Sequence, residues 1–291
     1  MKRRDWLKAA ALPVIGMAAR AGQESKAAAV ANPLKAPAQG GIPVAFVLSE
    51  GAVVIDFAGP WEVFENVNIP GVSEPFHLYT VAESTKTIPV SGGMKIVPEF
   101  TFENAPAPKV IVIPAQNGDS EAVLNWIRKS AKNADLTMSV CTGAFLLAGT
   151  GLLSGKAATT HHGSYVDLAL RFPDIQVKRG ARFVEAGNVA SSGGLSSGID
   201  LALRVVERYY GHDVAAQTAF QLEYQGEGWM NADSNSVYAQ PFVQTANHPV
   251  CPVCGMDPDR SLKSEFQDKT YYFCSPPHQK LFDRKPEAFL K

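Results

Sequence analysis

The chain has 291 residues, 46% of them hydrophobic and 19% charged, with 24 Gly and 20 Pro. That mix excludes a disordered, collagenous or coiled-coil protein and suffices for one or two domains with a large core. Twenty-seven basic residues against 28 acidic ones leave a net charge of −1, so no polyanion-binding surface is advertised overall. Four cysteines are too few for a disulfide scaffold: Cys141 stands alone, while Cys251, Cys254 and Cys274 crowd toward the C-terminal end.

The N-terminus reads Met1-Lys2-Arg3-Arg4-Asp5-Trp6-Leu7-Lys8 and continues into a short Ala-rich apolar run. A positive segment before a short apolar one has the layout of a secretory signal, not of a membrane span. The Arg3-Arg4 pair resembles the twin-arginine export signal, which implies a periplasmic protein exported already folded. Small-x-small cleavage options stand at Ala19-Arg20-Ala21 and Ala29-Val30-Ala31. Cleavage after Ala31 leaves 21 basic and 26 acidic residues, a net −5, which weakens a nucleic-acid partner further. The alternative is a basic amphipathic helix kept on the mature chain. Residues 1–31 are thus read as the signal, and the Pro/Ala/Gly-rich residues 32–41 as a linker.

The pattern then changes. Residues 42–48 form a continuous apolar run, as a strand buried on both faces requires. Gly59-Pro60 precedes Trp61-Glu62-Val63-Phe64, whose spacing predicts a helix starting there. Residues 76–82 and 109–114 predict two more strands. Residues 120–133 have helical periodicity through Val123, Trp126, Ile127 and Ala131, with Asp119 and Ser120 able to cap the start. A short strand follows at 136–140, then helices at 142–150 and from Ser196 to Gly211. Alternating strands and helices predict an α/β fold with a parallel sheet flanked by helices.

The sharpest motif is Ser139-Val140-Cys141-Thr142-Gly143, at a strand-to-helix junction. Small residues two positions either side of the centre permit the sharp turn of a nucleophile elbow. Such a turn lifts the cysteine above the carboxyl end of the sheet, where open α/β folds bind ligands. The following helix places its positive end near the sulfur, so a lowered thiol pKa is expected. A free cysteine after an apolar strand is otherwise a small core residue.

Val140-Cys141-Thr142-Gly143-Ala144 and residues 151–161 together resemble the ThiJ/PfpI superfamily of class I glutamine-amidotransferase-like domains. The likeness is to its isonitrile hydratase branch and to the ligand-binding half of AraC-type regulators. Residues 54–64, the Ser91-Gly92-Gly93 turn and Ser197-Gly198-Ile199-Asp200-Leu201-Ala202-Leu203 agree with it. The resemblance covers residues 42–228 and implies a flavodoxin-like fold, a small-molecule substrate or ligand, and a homodimer. It implies Cys141 as nucleophile, Asp56 as the acid/base carboxylate over it, and Thr142 as a donor to developing charge. Asp56 beside a thiolate is expected to hold its proton more readily than usual. Its other reading is a cap for the helix at Gly59-Pro60, and Thr142 reads equally as an ordinary first-turn residue. Ala115 and Gly93 are the remaining expected substrate or oxyanion positions. Ala115 replaces the family's usual glycine in Pro114-Ala115-Gln116-Asn117-Gly118, so strain at a positive φ is expected there. His161, followed by His162, is a proton shuttle, a metal ligand or a polar strand end. No acidic partner for a Cys-His-Asp triad is legible, which disfavours a protease.

Residues 229–247 turn polar and read as a second linker. Residues 248–291 are too few to fold on apolar burial alone. Cys251-x-x-Cys254, nineteen residues, then Cys274-x-x-x-His278 is good spacing for four tetrahedral ligands, for zinc by default or for copper. The segment resembles the YHS domain, a small metal-associated α+β module, through Cys254-Gly255-Met256, residues 269–275 and residues 285–290. Pro277-His278 replaces that family's second cysteine. A Cys251–Cys254 disulfide is the alternative in an oxidising compartment. The whole reads as an exported cysteine-dependent hydratase or lyase with a metal-binding tail, or as a non-catalytic ligand-, redox- or metal-sensing protein. No helix-turn-helix segment follows Gly228, which disfavours a transcription factor.

Overall fold

A computed structural model of the chain describes residues 32–240 and 248–290. The expected export signal, residues 1–31, lies outside the described residues, as do 241–247 of the second linker and Lys291. In chain order the elements are β1 (Ile42–Val47), α1 (Val54–Glu65), β2 (Phe76–Ala82), β3 (Ile88–Pro89), β4 (Lys95–Ile96), β5 (Phe100–Thr101), β6 (Val110–Ile113), α2 (Glu121–Ala131), β7 (Leu136–Ser139), α3 (Gly143–Gly149), β8 (Ala157–Ala158), α4 (Tyr165–Arg171), β9 (Gln176–Val177), β10 (Phe183–Ala186), β11 (Val189–Ser192), α5 (Ser197–Tyr210) and α6 (His212–Gln221). A smaller unit follows, made of β12 (Asp259–Phe266), β13 (Lys269–Phe273) and α7 (Pro276–Arg284).

The main sheet has seven strands in the order β10-β11-β7-β6-β1-β2-β5, all parallel except for the β10–β11 pair. Its central order β2-β1-β6-β7-β11 is that of a flavodoxin-like fold. Alternate residues of β1 feed two cores. Val44 and Phe46 pack with α1, α5 and α6, whereas Ala45 and Val47 pack with α2, α3 and α4. Burial on both faces is why these strands read as unbroken apolar runs. Ser120 accepts from the Val123 N–H and caps α2, as its sequence predicts.

One helix differs from expectation. α1 begins at Val54, not after Gly59-Pro60, and carries Pro60 inside it. An interior proline forfeits one helical hydrogen bond, and tertiary packing holds the helix despite this loss. A Cβ at Gly59 would lie 2.9 Å from Ile199 of α5, and one at Gly198 would meet Val140 and Pro60 at 2.9–3.3 Å. The two helices therefore approach through paired glycines. α1 also lacks a side-chain cap of its own; Ser91 Oγ, from the turn between β3 and β4, accepts from the Val54 N–H at 3.0 Å. Asp56 lies in this first turn, not at a cap before Gly59.

The polar stretch after Gly228 is irregular, but its first half is packed on the body. Trp229 is buried, and Arg182 donates its N–H to Ala232 and its side chain to Asn235, Ser196 and the buried Asp200. In the C-terminal unit, Val253, Tyr271, Phe273 and Phe282 form a small core together with Cys251 and Cys254.

The tightest backbone approach is at Gly143, where a Cβ would lie 2.3 Å from the Ile113 carbonyl oxygen and 2.7 Å from that of Pro114. Backbone atoms of a central strand cannot yield as side chains do. Gly143→Ala is expected to destabilise the fold by roughly 3 kcal/mol or more, read as a lower urea midpoint at unchanged m.

Candidate functional site

Cys141 has φ +57°, the left-handed region that a non-glycine residue rarely occupies. Such a conformation costs about 1–3 kcal/mol and persists only where the surroundings hold it. Here the Cys141 N–H donates to the Gly193 carbonyl at 3.0 Å, and its own carbonyl accepts from Thr160 Oγ1 at 2.9 Å. The side chain is 7% exposed. The backbone N–H groups of Thr142 and Leu195 and the Thr142 hydroxyl favour the thiolate form of its sulfur. Leu195, itself at φ +46°, was not legible as a site residue: it contributes only backbone. The signal that hinted at it is Gly193-Gly194, which allows the loop to close over the sulfur.

Asp56 is fully buried beside Cys141. One oxygen, Oδ2, accepts from the Ala115 N–H at 3.1 Å. The other, Oδ1, is buried and makes no hydrogen bond of ordinary geometry, although the nearby thiol favours its ionised form. Burial pushes the carboxyl up to about 7, against the opposing pull of the Ala115 N–H and the thiol. The raised value matches the direction expected for it, but its main cause is desolvation, not like-charge repulsion. The lowered thiol pKa is not found. Burial first, and the Asp56 charge second, push Cys141 up to about 11. α3 is only seven residues long, and its dipole does not offset a buried sulfur next to a carboxylate.

The two groups therefore behave as one dyad. While Asp56 is protonated its repulsion of the sulfur vanishes, leaving burial, which favours the thiol, against the Thr142 and Leu195 groups, which favour thiolate. A proton held on Asp56 near neutrality is what a general acid requires.

The other expected positions fall differently. The Ala115 N–H is already engaged by Asp56, so it orients the carboxylate and is not a free oxyanion donor. Ala115 is not among the described non-glycine residues with positive φ, so the strain expected of a missing glycine does not arise. Gly93 is exposed at φ +81°, in the turn whose Ser91 caps α1; no described hydrogen bond joins it to Cys141 or Asp56. His161 packs on this loop, since a Cβ at Gly194 would lie 2.4 Å from its Cδ2, and its Nδ1 accepts from the Gly163 N–H. Burial and then His162, 4.3 Å away ring to ring, hold its imidazole below the usual range. A neutral ring supplies no imidazolium to pair with a thiolate, which removes a cysteine–histidine ion pair. Beside the elbow, Gln116, Asn117, Thr142, Gly143 and Phe145 line a cleft of about 310 Å³.

The second cluster is Cys251, Cys254, Cys274 and His278, whose ligand atoms all lie within 4.8 Å of one another. Cys254 and Cys274 sulfurs are 3.4 Å apart, and His278 Nδ1 is 3.2 Å from Cys274 and 3.7 Å from Cys251. A tetrahedral zinc with bonds of about 2.3 Å to sulfur and 2.0 Å to nitrogen places its ligands roughly 3.5–3.8 Å apart. The donor set fits such an ion. All four cysteines of the chain are free, so the Cys251–Cys254 bridge is not formed here.

The buried carboxyl has a consequence for stability. A group whose pKa rises on folding, here from 3.8 to about 7, favours the native state at low pH and loses that advantage as pH climbs through 7. Asp56→Asn is expected to gain stability relative to the parent between pH 4 and 8. The limit is roughly 4 kcal/mol at 1.36 kcal/mol per unit, and thermal melts of both proteins across that range check it.

Residues 43–208 match the sequence profile of the DJ-1/PfpI family. The chain is 35% identical over 186 residues to isonitrile hydratase of Pseudomonas putida, covering 62% of this chain and 78% of that protein. It is 23% identical over 186 residues to the HTH-type transcriptional regulator GbdR of Pseudomonas aeruginosa, of which it spans only 50%. Among solved structures, a ThiJ/PfpI family protein from Pseudomonas syringae superposes with a TM-score of 0.58 at 26% identity, over 66% of this chain and 79% of that one. Drosophila melanogaster DJ-1beta gives 0.55 at 18% identity, over 64% of this chain and all of that one. The α/β body, with its cysteine on a left-handed strand-to-helix turn, therefore belongs to the DJ-1/PfpI family.

Proposed function

We propose that the α/β body is a cysteine-dependent hydro-lyase of the isonitrile hydratase type. The observation that carries this reading is the dyad: a buried sulfur on a left-handed turn, beside a buried carboxyl with one unpartnered oxygen. An isonitrile is a small, weakly polar electrophile whose terminal carbon accepts both a nucleophile and a proton. Asp56 takes the proton of the Cys141 thiol, the sulfur bonds to that carbon, and Asp56 delivers the proton to the same carbon, giving a thioimidate. Water then adds to the same carbon, with Asp56 taking up a proton. Collapse of the adduct breaks the carbon–sulfur bond, returns the thiolate and leaves the N-substituted formamide, with the last proton on nitrogen. Thr142 and Leu195 hold the sulfur's negative charge before attack and after release. The net change is one water added to one isonitrile.

A second reading is supported by the regulator similarity and by a thiol pushed up to about 11. In it the same pocket binds a small ligand or responds to oxidant without turnover. Fold alone does not decide between them.

For the remainder of the chain, we infer export through the twin-arginine pathway and a C-terminal YHS-like metal module held by Cys251, Cys254, Cys274 and His278. Support comes from the N-terminal motif, from the ligand distances above, and from a core too small to fold a 44-residue segment by itself. The metal's chemistry there is structural: three thiolates and one imidazole close a four-coordinate site.

With aliphatic isonitriles as substrates, the parent is expected to form formamides and Cys141→Ala to fall to the uncatalysed rate. Asp56→Asn is expected to lose roughly 10²–10⁴-fold in kcat. Parent rates equal to those of Cys141→Ala decide for the ligand-binding reading. Elemental analysis of the chain purified without added metal should find about one equivalent of zinc or copper. Below about half an equivalent, a disulfide between tail cysteines takes its place.

A further inference from the structure

The metal cluster is not self-contained. His278 is 1% exposed and turns its Nδ1 toward the sulfurs, while its Nε2 lies 3.1 Å from Oδ1 of Asp167. Asp167 is not part of the C-terminal unit. It stands in the first turn of α4, 111 residues away in sequence, in the DJ-1/PfpI body. The contact is flanked by packing. Val166 of α4 lies against the small core of Cys251, Val253, Phe273 and Phe282. Met256 lies against Gly163, where a Cβ would meet its side chain at 2.5 Å.

This arrangement fixes the histidine. With Nε2–H donating to a carboxylate, Nδ1 is left as the lone-pair nitrogen, which is the tautomer a metal ligand needs. A carboxylate on the far side also strengthens the ligand's donation.

We propose that Asp167 is the outer-sphere carboxylate of the metal centre and that metal loading clamps the C-terminal unit onto α4. The proposal rests on the metal reading above. Asp167 is a positioning residue: it touches no metal, and acts by holding His278 in orientation and tautomer. The same bond works in both directions, because whatever fixes His278 in the cluster also fixes the surface of α4 that holds its Nε2. A metal ligand set within a short C-terminal unit thereby becomes a joint between two parts of the chain.

The test uses the full chain and zinc or cobalt(II) alone as probes. Zinc affinity is measured by competition with a chromophoric chelator, and cobalt(II) loading by the thiolate charge-transfer and visible bands. Amide hydrogen exchange of residues 161–171 is followed with and without zinc. The parent is expected to take up one equivalent and to slow exchange across α4 on loading. Asp167→Asn keeps an acceptor oxygen and removes only the charge. Since the Asp167 side chain is 43% exposed, its loss should sit at the lower end of the roughly 10–100-fold range for such partners. The cobalt bands should shift and α4 should no longer respond to zinc. Asp167→Glu should restore part of the affinity, and melts of the metal-free variants verify that α4 is folded. Zinc affinity of Asp167→Asn equal to the parent's overturns the proposal. So does α4 exchange in the parent that ignores zinc, a result that needs no variant. Failure of the parent to bind either metal removes the metal reading itself. It is recognised before any variant is made.

Discussion

The left-handed turn at Cys141 is the constraint around which the α/β body is arranged. A residue at φ +57° is held there by two hydrogen bonds of its main chain, one from its N–H to the Gly193 carbonyl and one to its carbonyl from the Thr160 hydroxyl. Each is worth about 1 kcal/mol, so together they offset a strain of about 1–3 kcal/mol. They also draw three loops to one point: the elbow after β7, the segment after β8 and the Gly193-Gly194 loop after β11. Gly143 completes the turn by letting α3 start against the backbone of β6. The Cys141 sulfur is thus fixed where the ends of three strands meet.

Rigidity of the backbone sets the electrostatics. Because α1 begins at Val54, its first turn delivers Asp56 to the sulfur, and the Ala115 N–H at the end of β6 fixes the carboxylate's orientation. Both groups are buried, and desolvation opposes charge on each. Two anions in such a space are costly, one is tolerable. Burial raises the sulfur to about 11 and the carboxyl only to about 7, so a single negative charge rests first on Asp56 while the sulfur keeps its proton. A buried carboxyl with a pKa of about 7 is therefore a direct product of where α1 starts.

Much of this is legible in the amino-acid sequence. The strands were visible because burial on both faces demands apolar runs, and the elbow because only small residues tolerate its curvature. The start of α1 was misread because Gly59-Pro60 carries the local signature of a helix beginning. Its real role is tertiary, a close approach to Gly198 and Ile199 of α5 that no local pattern encodes. The Leu195 donor was silent because it is main chain, and any residue carries one. Ala115 is expected to offer its N–H to a substrate, but the placement of Asp56, which no local pattern encodes, engages that N–H instead. Asp167 gave no signal, since its partner His278 is far away in sequence and only folding brings them together.

The same loops link the two clusters. Gly163, pressed by Met256 of the C-terminal unit, follows His161 and donates its N–H to that ring. The His161 ring rests in turn on Gly194, one residue before Leu195, whose N–H favours the thiolate form of Cys141. A C-terminal unit with only four buried non-cysteine apolar residues, Val253, Tyr271, Phe273 and Phe282, in its principal core gains order from the surface it docks on. That surface is the outer wall of the Cys141 loop. His278 and Asp167 join the small unit to α4, and the contacts at Gly163, His161 and Gly194 continue from there to the Cys141 loop.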